Sequence, residues 1–200
     1  MHPAIPVIGL TGAIAAGKSE ALAALGRLGA ETLASDAIVH ELLETDSVRD
    51  LLVERWGEEI APQGSVDRAR IGKIVFERPE ELSWLESTLH PLVGERTMHW
   101  RSHLPPSTPL AVIEVPLLFE VGLEAAFDAT ICIVAADETR AERAGARGTL
   151  DLDARAGRQL SQDEKAARAT YVVPNDGSIA ELETALAEVV TDIRPGRVQP

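Results

Sequence analysis

One stretch near the start of the chain restricts its fold more than any other. Residues 5–10 (Ile-Pro-Val-Ile-Gly-Leu) form an apolar run of strand length, and Gly12-Ala13-Ile14-Ala15-Ala16-Gly17-Lys18-Ser19 follows, matching G-x-x-x-x-G-K-[ST]. A strand this apolar is buried on both faces, as in a parallel sheet. Beyond the motif, Ala21, Leu22, Leu25 and Leu28 recur at helical spacing. Strand, glycine loop and helix in that order make a phosphate cradle. Gly12 and Gly17 let successive N–H groups turn inward, and the helix N-terminus adds a positive dipole end. Lys18 then reaches the β- and γ-phosphates of a nucleoside triphosphate, and the Ser19 hydroxyl ligates Mg²⁺. A plain strand–helix turn would leave a lysine in that first helical turn without a purpose. The dinucleotide pattern G-x-G-x-x-G is absent from this loop.

The rest of the chain alternates in the same way. Residues 31–34 read as a second, weaker strand, and Ser35 or Asp36 as the cap of a helix whose apolar positions are Ile38, Val39, Leu42 and Leu43. Val48, Leu51, Leu52 and Trp56 continue at helical spacing. Helical patterns resume over residues 67–77 and 79–103 after the break Ala61-Pro62-Gln63-Gly64. Residues 104–109 form a Pro-rich loop. Residues 110–115 and 129–135 read as strands, 137–147 as a helix with two shorter helical pieces after it, and 171–173 as a last strand. Asn175-Asp176-Gly177 is a turn, with Ser178 capping a final amphipathic helix to about residue 193. Such alternation predicts an α/β fold, a mostly parallel sheet with helices on both faces. The strand-free stretch from about 40 to 105 predicts a helical insertion beside it.

Composition narrows the partners. Asp and Glu number 32 against 19 Lys and Arg, a net charge of −13, which argues against nucleic acid or an anionic membrane as the main partner. Aromatic residues are 4% of the chain, so Leu, Val, Ile and Ala must fill most of the core. The single cysteine, Cys132, excludes an internal disulfide and lies in an apolar run, so it reads as a core residue in a reducing, cytoplasmic protein. The uncharged start lacks a basic n-region, and no uncharged stretch is long enough to span a bilayer. The chain is expected to be soluble.

The charge is also unevenly placed. Residues 31–60 hold nine acids and two bases, net −7, and residues 106–139 hold six acids and neither Lys nor Arg, net −6. Residues 140–170 hold seven bases and five acids, net +2, and residues 1–30 hold Lys18 and Arg27 against Glu20, net +1. The two positive segments are the places to expect a bound triphosphate.

Several residues could serve its chemistry. Asp36 follows the second strand at the C-terminal edge of the sheet, where ligands of such folds sit. It reads as the base for an acceptor hydroxyl, as a helix cap, or as both. Arg140, Arg143 and Arg147 share one helix face, with Arg155 and Arg158 beyond Gly148. An arginine-bearing segment closing on a triphosphate would offset transition-state charge. Glu114 and Glu120 read either as carboxylates holding the metal through water or, for Glu114, as a partner of Lys18 or Ser19. His40 and His90 read as structural residues or as acceptor contacts.

With these residues in view, the chain resembles the dephospho-coenzyme A kinase family from about residue 7 to 188. The resemblance rests on the phosphate loop, on Asp36, and on Val66-Asp67-Arg68 with Ile74-Val75-Phe76. Leu89-His90-Pro91, Val115-Pro116-Leu117-Leu118-Phe119-Glu120, the lid residues Arg143, Arg147, Arg155 and Gln159, and Asn175-Asp176-Gly177-Ser178 complete it. The Pro-Leu-Leu-Phe-Glu block is the most specific of these.

The resemblance implies a three-layer P-loop kinase fold around a five-stranded parallel sheet. The single domain, 1–194, would have its core in 4–39, 106–139 and 170–193, a helical acceptor-binding insertion at about 40–105, a lid at about 140–169 and a tail at 195–200. It implies transfer of the ATP γ-phosphate, with Mg²⁺, to the ribose 3′-hydroxyl of dephospho-coenzyme A. Asp36 would be the base, and Lys18, Arg143 and Arg147 would act on the transferring phosphate. ATP would meet Gly12, Ala13, Ala15, Ala16, Gly17, Lys18, Ser19, Glu20 and, near adenine, Asn175. The acceptor would meet Thr11, Asp36, His40, Arg68, His90 and Leu117. A monomer is expected.

Ala13 and Ala15 stand where glycines are usual, Glu20 where Thr is common, Glu114 where Asp is more usual, and Thr170 where an acid precedes the last strand. Repulsion from an α-phosphate should turn the Glu20 carboxylate away. These departures bear on ATP affinity more than on turnover. A kinase of another nucleoside or nucleotide would share the loop but not the Pro-Leu-Leu-Phe-Glu block. A non-catalytic nucleotide switch would need neither Asp36 nor the arginines.

Overall fold

A computed structural model describes residues 5–146 and 159–193. The chain divides into two compact units, residues 1–34 with 104–200, and residues 35–103.

The first unit is built on a five-stranded parallel sheet, β1 (Val7–Gly12), β2 (Glu31–Ala34), β3 (Ala111–Glu114), β4 (Ala129–Val134) and β5 (Tyr171–Pro174), in the order β2-β3-β1-β4-β5. β1 lies at the centre with every residue buried, as its unbroken apolar run requires. It starts two residues later than the sequence suggests, because Pro6 has no N–H to give to a ladder, although its carbonyl accepts from Ala111. It also runs on to Gly12, opposite Ile133 of β4. β3 is shorter than the apolar pattern at both ends. Val115 still donates to Leu10, but Pro116 after it ends the pairing.

Alternation along β1 assigns its two faces. Ile8 and Leu10 join the core formed with α1 (Lys18–Arg27) and the C-terminal helix, through Ala21, Ala24, Leu25, Leu182, Leu186 and Val190. A side chain on Gly9 would instead run into Leu118 and Phe127 on the opposite face. Helix 162–168 packs against β1 and β4. Numbered in chain order, the described helices of this unit are α1, α6 (Asp137–Ala146), α7 (Gln162–Arg168) and α8 (Ile179–Ile193). Ser178 and Glu181 cap α8 reciprocally, as the serine predicts, and Ser161 with Glu164 does the same for α7. Cys132 is fully buried, and burial pushes its thiol up to about 11, which suits a core residue.

The second unit holds α2 (Ser35–Leu43), α3 (Asp46–Trp56), a 3₁₀ turn at Glu58–Ile60, α4 (Arg68–Glu77) and α5 (Pro79–Ser102). α2 and α4 both pack on α5. Asp67 caps α4 by accepting from Ala69 and Arg70. Arg55 donates to both oxygens of Glu81, at 2.9 and 3.1 Å, and the Trp56 indole donates to Oε2 at 2.8 Å. The Arg55 hydrogen bonds, then that of Trp56, hold the Glu81 carboxyl below the usual carboxylate range. One expectation is corrected here. Ser35 and Asp36 do not precede α2 as a cap but stand inside its first turn, because the helix begins directly where β2 ends.

Candidate active site

The phosphate loop starts at the C-terminal end of the central strand. Gly17 precedes α1 with φ +95°, and Gly12 has φ +154°. A methyl group on Gly17 would collide with the Asn175 amide nitrogen, so both backbone and neighbour demand glycine there. Lys18 is the first residue of α1. Its ammonium lies back over the loop, donating to the carbonyls of Gly12 at 3.1 Å and Ala13 at 3.0 Å. The Ser19 side chain is exposed in the first turn. Glu20 turns along the helix to accept from Arg27 at 3.1 Å, away from the loop as charge repulsion suggests.

Ala13 and Ala15, the two departures from glycine, behave differently. Ala13 is buried with an ordinary backbone. Ala15 has φ +61° and is the sole non-glycine residue with positive φ among those described. That conformation costs an L-residue about 1–2 kcal/mol, offset in part by the greater unfolded-state freedom of glycine. Ala15→Gly is therefore expected to stabilise the protein by about 1 kcal/mol and raise Tm by about 2–4 °C. Thermal unfolding followed by circular dichroism checks this, and an equal or lower Tm would show that Ala15 carries no strain.

Two later segments reach the loop. Asn175, at the end of β5, is buried, and its Nδ2 donates to the Ala16 carbonyl at 2.8 Å. Arg143 of α6 donates to the Asn175 carbonyl at 2.9 Å, and its Nη1 lies 3.6 Å from where a Gly17 Cβ would stand. The structure thus brings Gly17, Lys18, Asn175 and Arg143 together. It gives Asn175 a part the sequence did not suggest, because its side-chain amide supports the loop's own backbone. Arg140 pairs with Asp137 one turn earlier on the same helix. Arg147, Arg155 and Arg158 lie outside the described residues, as do the tail and much of the stretch expected to form the lid.

Thr11 is fully buried, and its hydroxyl donates to the Pro116 carbonyl at 3.3 Å. Strand alternation points residue 11 into the sheet's packed face rather than to solvent. Glu120 is engaged through one carboxylate oxygen, and its buried Oε2 makes no hydrogen bond. Its Oε1 accepts from the Lys165 ammonium at 3.0 Å and from Leu160 N at 2.9 Å. Glu114 ends β3, partly buried, beside Leu10 and Ala34 in the ladders. Leu117 is half-buried in the turn that follows.

In the helical unit, Asp36, His40, Arg68 and His90 are all exposed. Asp36 and His40 stand four residues apart on α2, Arg68 opens α4, and His90 precedes Pro91 inside α5. No sequence signal marked Lys165, fully buried in α7, or Gln162, whose side chain clamps both the N–H and the carbonyl of Ala135 at 2.9 and 3.1 Å.

Among the described residues, no group of three or more His, Cys, Asp or Glu side chains could hold a metal ion. Mg²⁺ in a nucleotide site needs no such cluster, since it takes one or two protein oxygens and completes its shell with phosphates and water. The exposed Ser19 hydroxyl at a helix start is such an oxygen. No described helix is long and apolar enough to cross a membrane.

The family model described as dephospho-CoA kinase matches residues 6–181. A dephospho-CoA kinase of Anaeromyxobacter dehalogenans is 38% identical over 197 residues, covering 96% of this chain and 93% of that protein. The crystal structure of TT1252 from Thermus thermophilus superposes with a TM-score of 0.81 at 35% identity, covering 94% of this chain and 98% of that one. A dephospho-CoA kinase from Campylobacter jejuni superposes with a TM-score of 0.64 at 25% identity, covering 96% and 98%.

Proposed function

Since the chain belongs to the dephospho-CoA kinase family and phosphorylates dephospho-CoA with ATP, the last step of coenzyme A biosynthesis, we propose that its phosphate loop holds the ATP triphosphate and that the ribose 3′-hydroxyl of dephospho-CoA receives the γ-phosphoryl group. The observation that carries this assignment is the convergence of Lys18, Arg143 and the α1 N-terminus on one loop. Three positive features at one point in an acidic protein suit a polyanion.

Loop N–H groups and the α1 dipole bind the phosphates. Lys18 exchanges its two carbonyl acceptors for β- and γ-phosphate oxygens and stays with the γ-group as charge shifts during transfer. Arg143, beside Gly17, offsets charge on the same group. Ser19 would hold Mg²⁺ through its hydroxyl; when bound, the ion neutralises charge on the β- and γ-oxygens. Asp36 accepts the proton of the attacking 3′-hydroxyl. That proton leaves late in a loose transition state, so a modest carboxylate base suffices. His40, Arg68, His90 and Leu117 are proposed to contact the acceptor, and residues 35–103 to form its binding unit.

A coupled assay of ADP release over a panel of acceptors tests the assignment. Dephospho-CoA should exceed AMP, adenosine and other nucleosides by at least tenfold in kcat/KM. A faster alternative acceptor would overturn the proposed specificity, and release without any acceptor would point to a nucleotide switch.

A further inference from the structure

Lys165 is fully buried, and its ammonium is held within one small node. Nζ donates to the Pro116 carbonyl at 2.7 Å and pairs with Glu120 Oε1 at 3.0 Å. Pro116 O also accepts from Thr11 Oγ1 at 3.3 Å, and Glu120 Oε1 from Leu160 N at 2.9 Å. Thr11 adjoins the first glycine of the phosphate loop. Pro116 and Glu120 frame the turn after β3, and Leu160 lies just before α7. One ammonium group therefore ties together three chain segments at the C-terminal edge of the sheet. Arg168, one turn along α7, pairs with Glu124 and lies 4.9 Å over the Phe119 ring, a second tie between α7 and the segment after β3.

Stability alone is a poor reason for this arrangement. Burying an ion pair carries a desolvation cost for each ion, and apolar residues of the same volume often serve as well or better. What an apolar contact lacks is direction. A charged donor with two defined acceptors fixes the Pro116 carbonyl, and hence Thr11 beside it, to within hydrogen-bond tolerance. Phosphoryl transfer depends almost entirely on such positioning.

We propose that Lys165 is a positioning residue for phosphoryl transfer: through Pro116 and Glu120 it sets the root of the phosphate loop against the turn after β3. The inference rests on the kinase reading above. Fully buried, Lys165 acts through these neighbours rather than at the reacting atoms.

The test uses the full chain carrying Lys165→Met together with Glu120→Gln. The two changes conserve volume closely and leave no buried charge unpaired. Wild-type turnover of dephospho-CoA is measured alongside, and its absence would sink the kinase reading rather than this one. The double variant should melt cooperatively, bind ATP with a Kd within twofold of wild type, and show kcat at least fivefold lower. A smaller fall in kcat overturns the inference, as does a fall matched by an equal loss of ATP affinity. Failure of the uncharged pair to fold would also overturn it, marking the node as purely structural.

Discussion

Lys18→Ala should lower kcat by about 10²–10³-fold, the loss seen when one preorganised electrostatic donor is removed from a transition state. At 1.36 kcal/mol per tenfold, that is about 3–4 kcal/mol of transition-state stabilisation. Its ammonium sits at the mouth of the loop between two backbone carbonyls, one helical residue from Ser19. Folding should survive the change. Lys18 opens α1, where a cation opposes the helix dipole and alanine is a good helix former. The Tm should therefore move little. ATP affinity should fall less than turnover, because the loop N–H groups and the helix end remain. Steady-state kinetics with dephospho-CoA and a separate ATP titration distinguish the two effects. Turnover within threefold of wild type would remove Lys18, and the loop with it, from the chemistry.

Asp36→Asn is expected to lower kcat by about 10²-fold or more, the range for loss of a positioned general base, while leaving the Kd for ATP within about twofold. Asp36 is exposed in the first turn of α2, two residues after the end of β2. Asparagine keeps its size and much of its favourable placement near the helix start, so the variant isolates the proton acceptor from the fold. A variant that changed ATP affinity and spared turnover would show that Asp36 is not the acceptor-side base. A lowered Tm with unchanged kcat would assign it to the helix alone.

Much of the fold can be read from local pattern. The apolar runs, the break at 61–64 and the serine before α8 each act over a few residues, and the five strands with α1–α6 and α8 lie within about two residues of their expected places. The departures have local causes too, such as Pro6 and Pro116 limiting β1 and β3. The site divides differently. Gly12, Gly17, Lys18 and Ser19 are legible because the loop is contiguous and its backbone angles demand those residues. Thr11 adjoins the loop in sequence, but strand alternation turns its side chain inward. Lys165 was invisible: between Asp163-Glu164 and Ala166-Ala167-Arg168 it has the appearance of any solvated helical lysine.

The sequence alone determined that the chain has a phosphate cradle on a buried strand, an alternation that makes a parallel sheet, and positive charge gathered in two segments of an acidic chain. These follow from spacing, backbone freedom and charge along neighbouring residues. The strand order β2-β3-β1-β4-β5, the support of Ala16 by Asn175, 159 residues away, and the pairing of Lys165 with Pro116, 49 residues away, emerge only in the folded chain. The reason is physical. A hydrogen bond between distant segments depends on which faces the packed sheet brings together, and no short stretch of sequence records that.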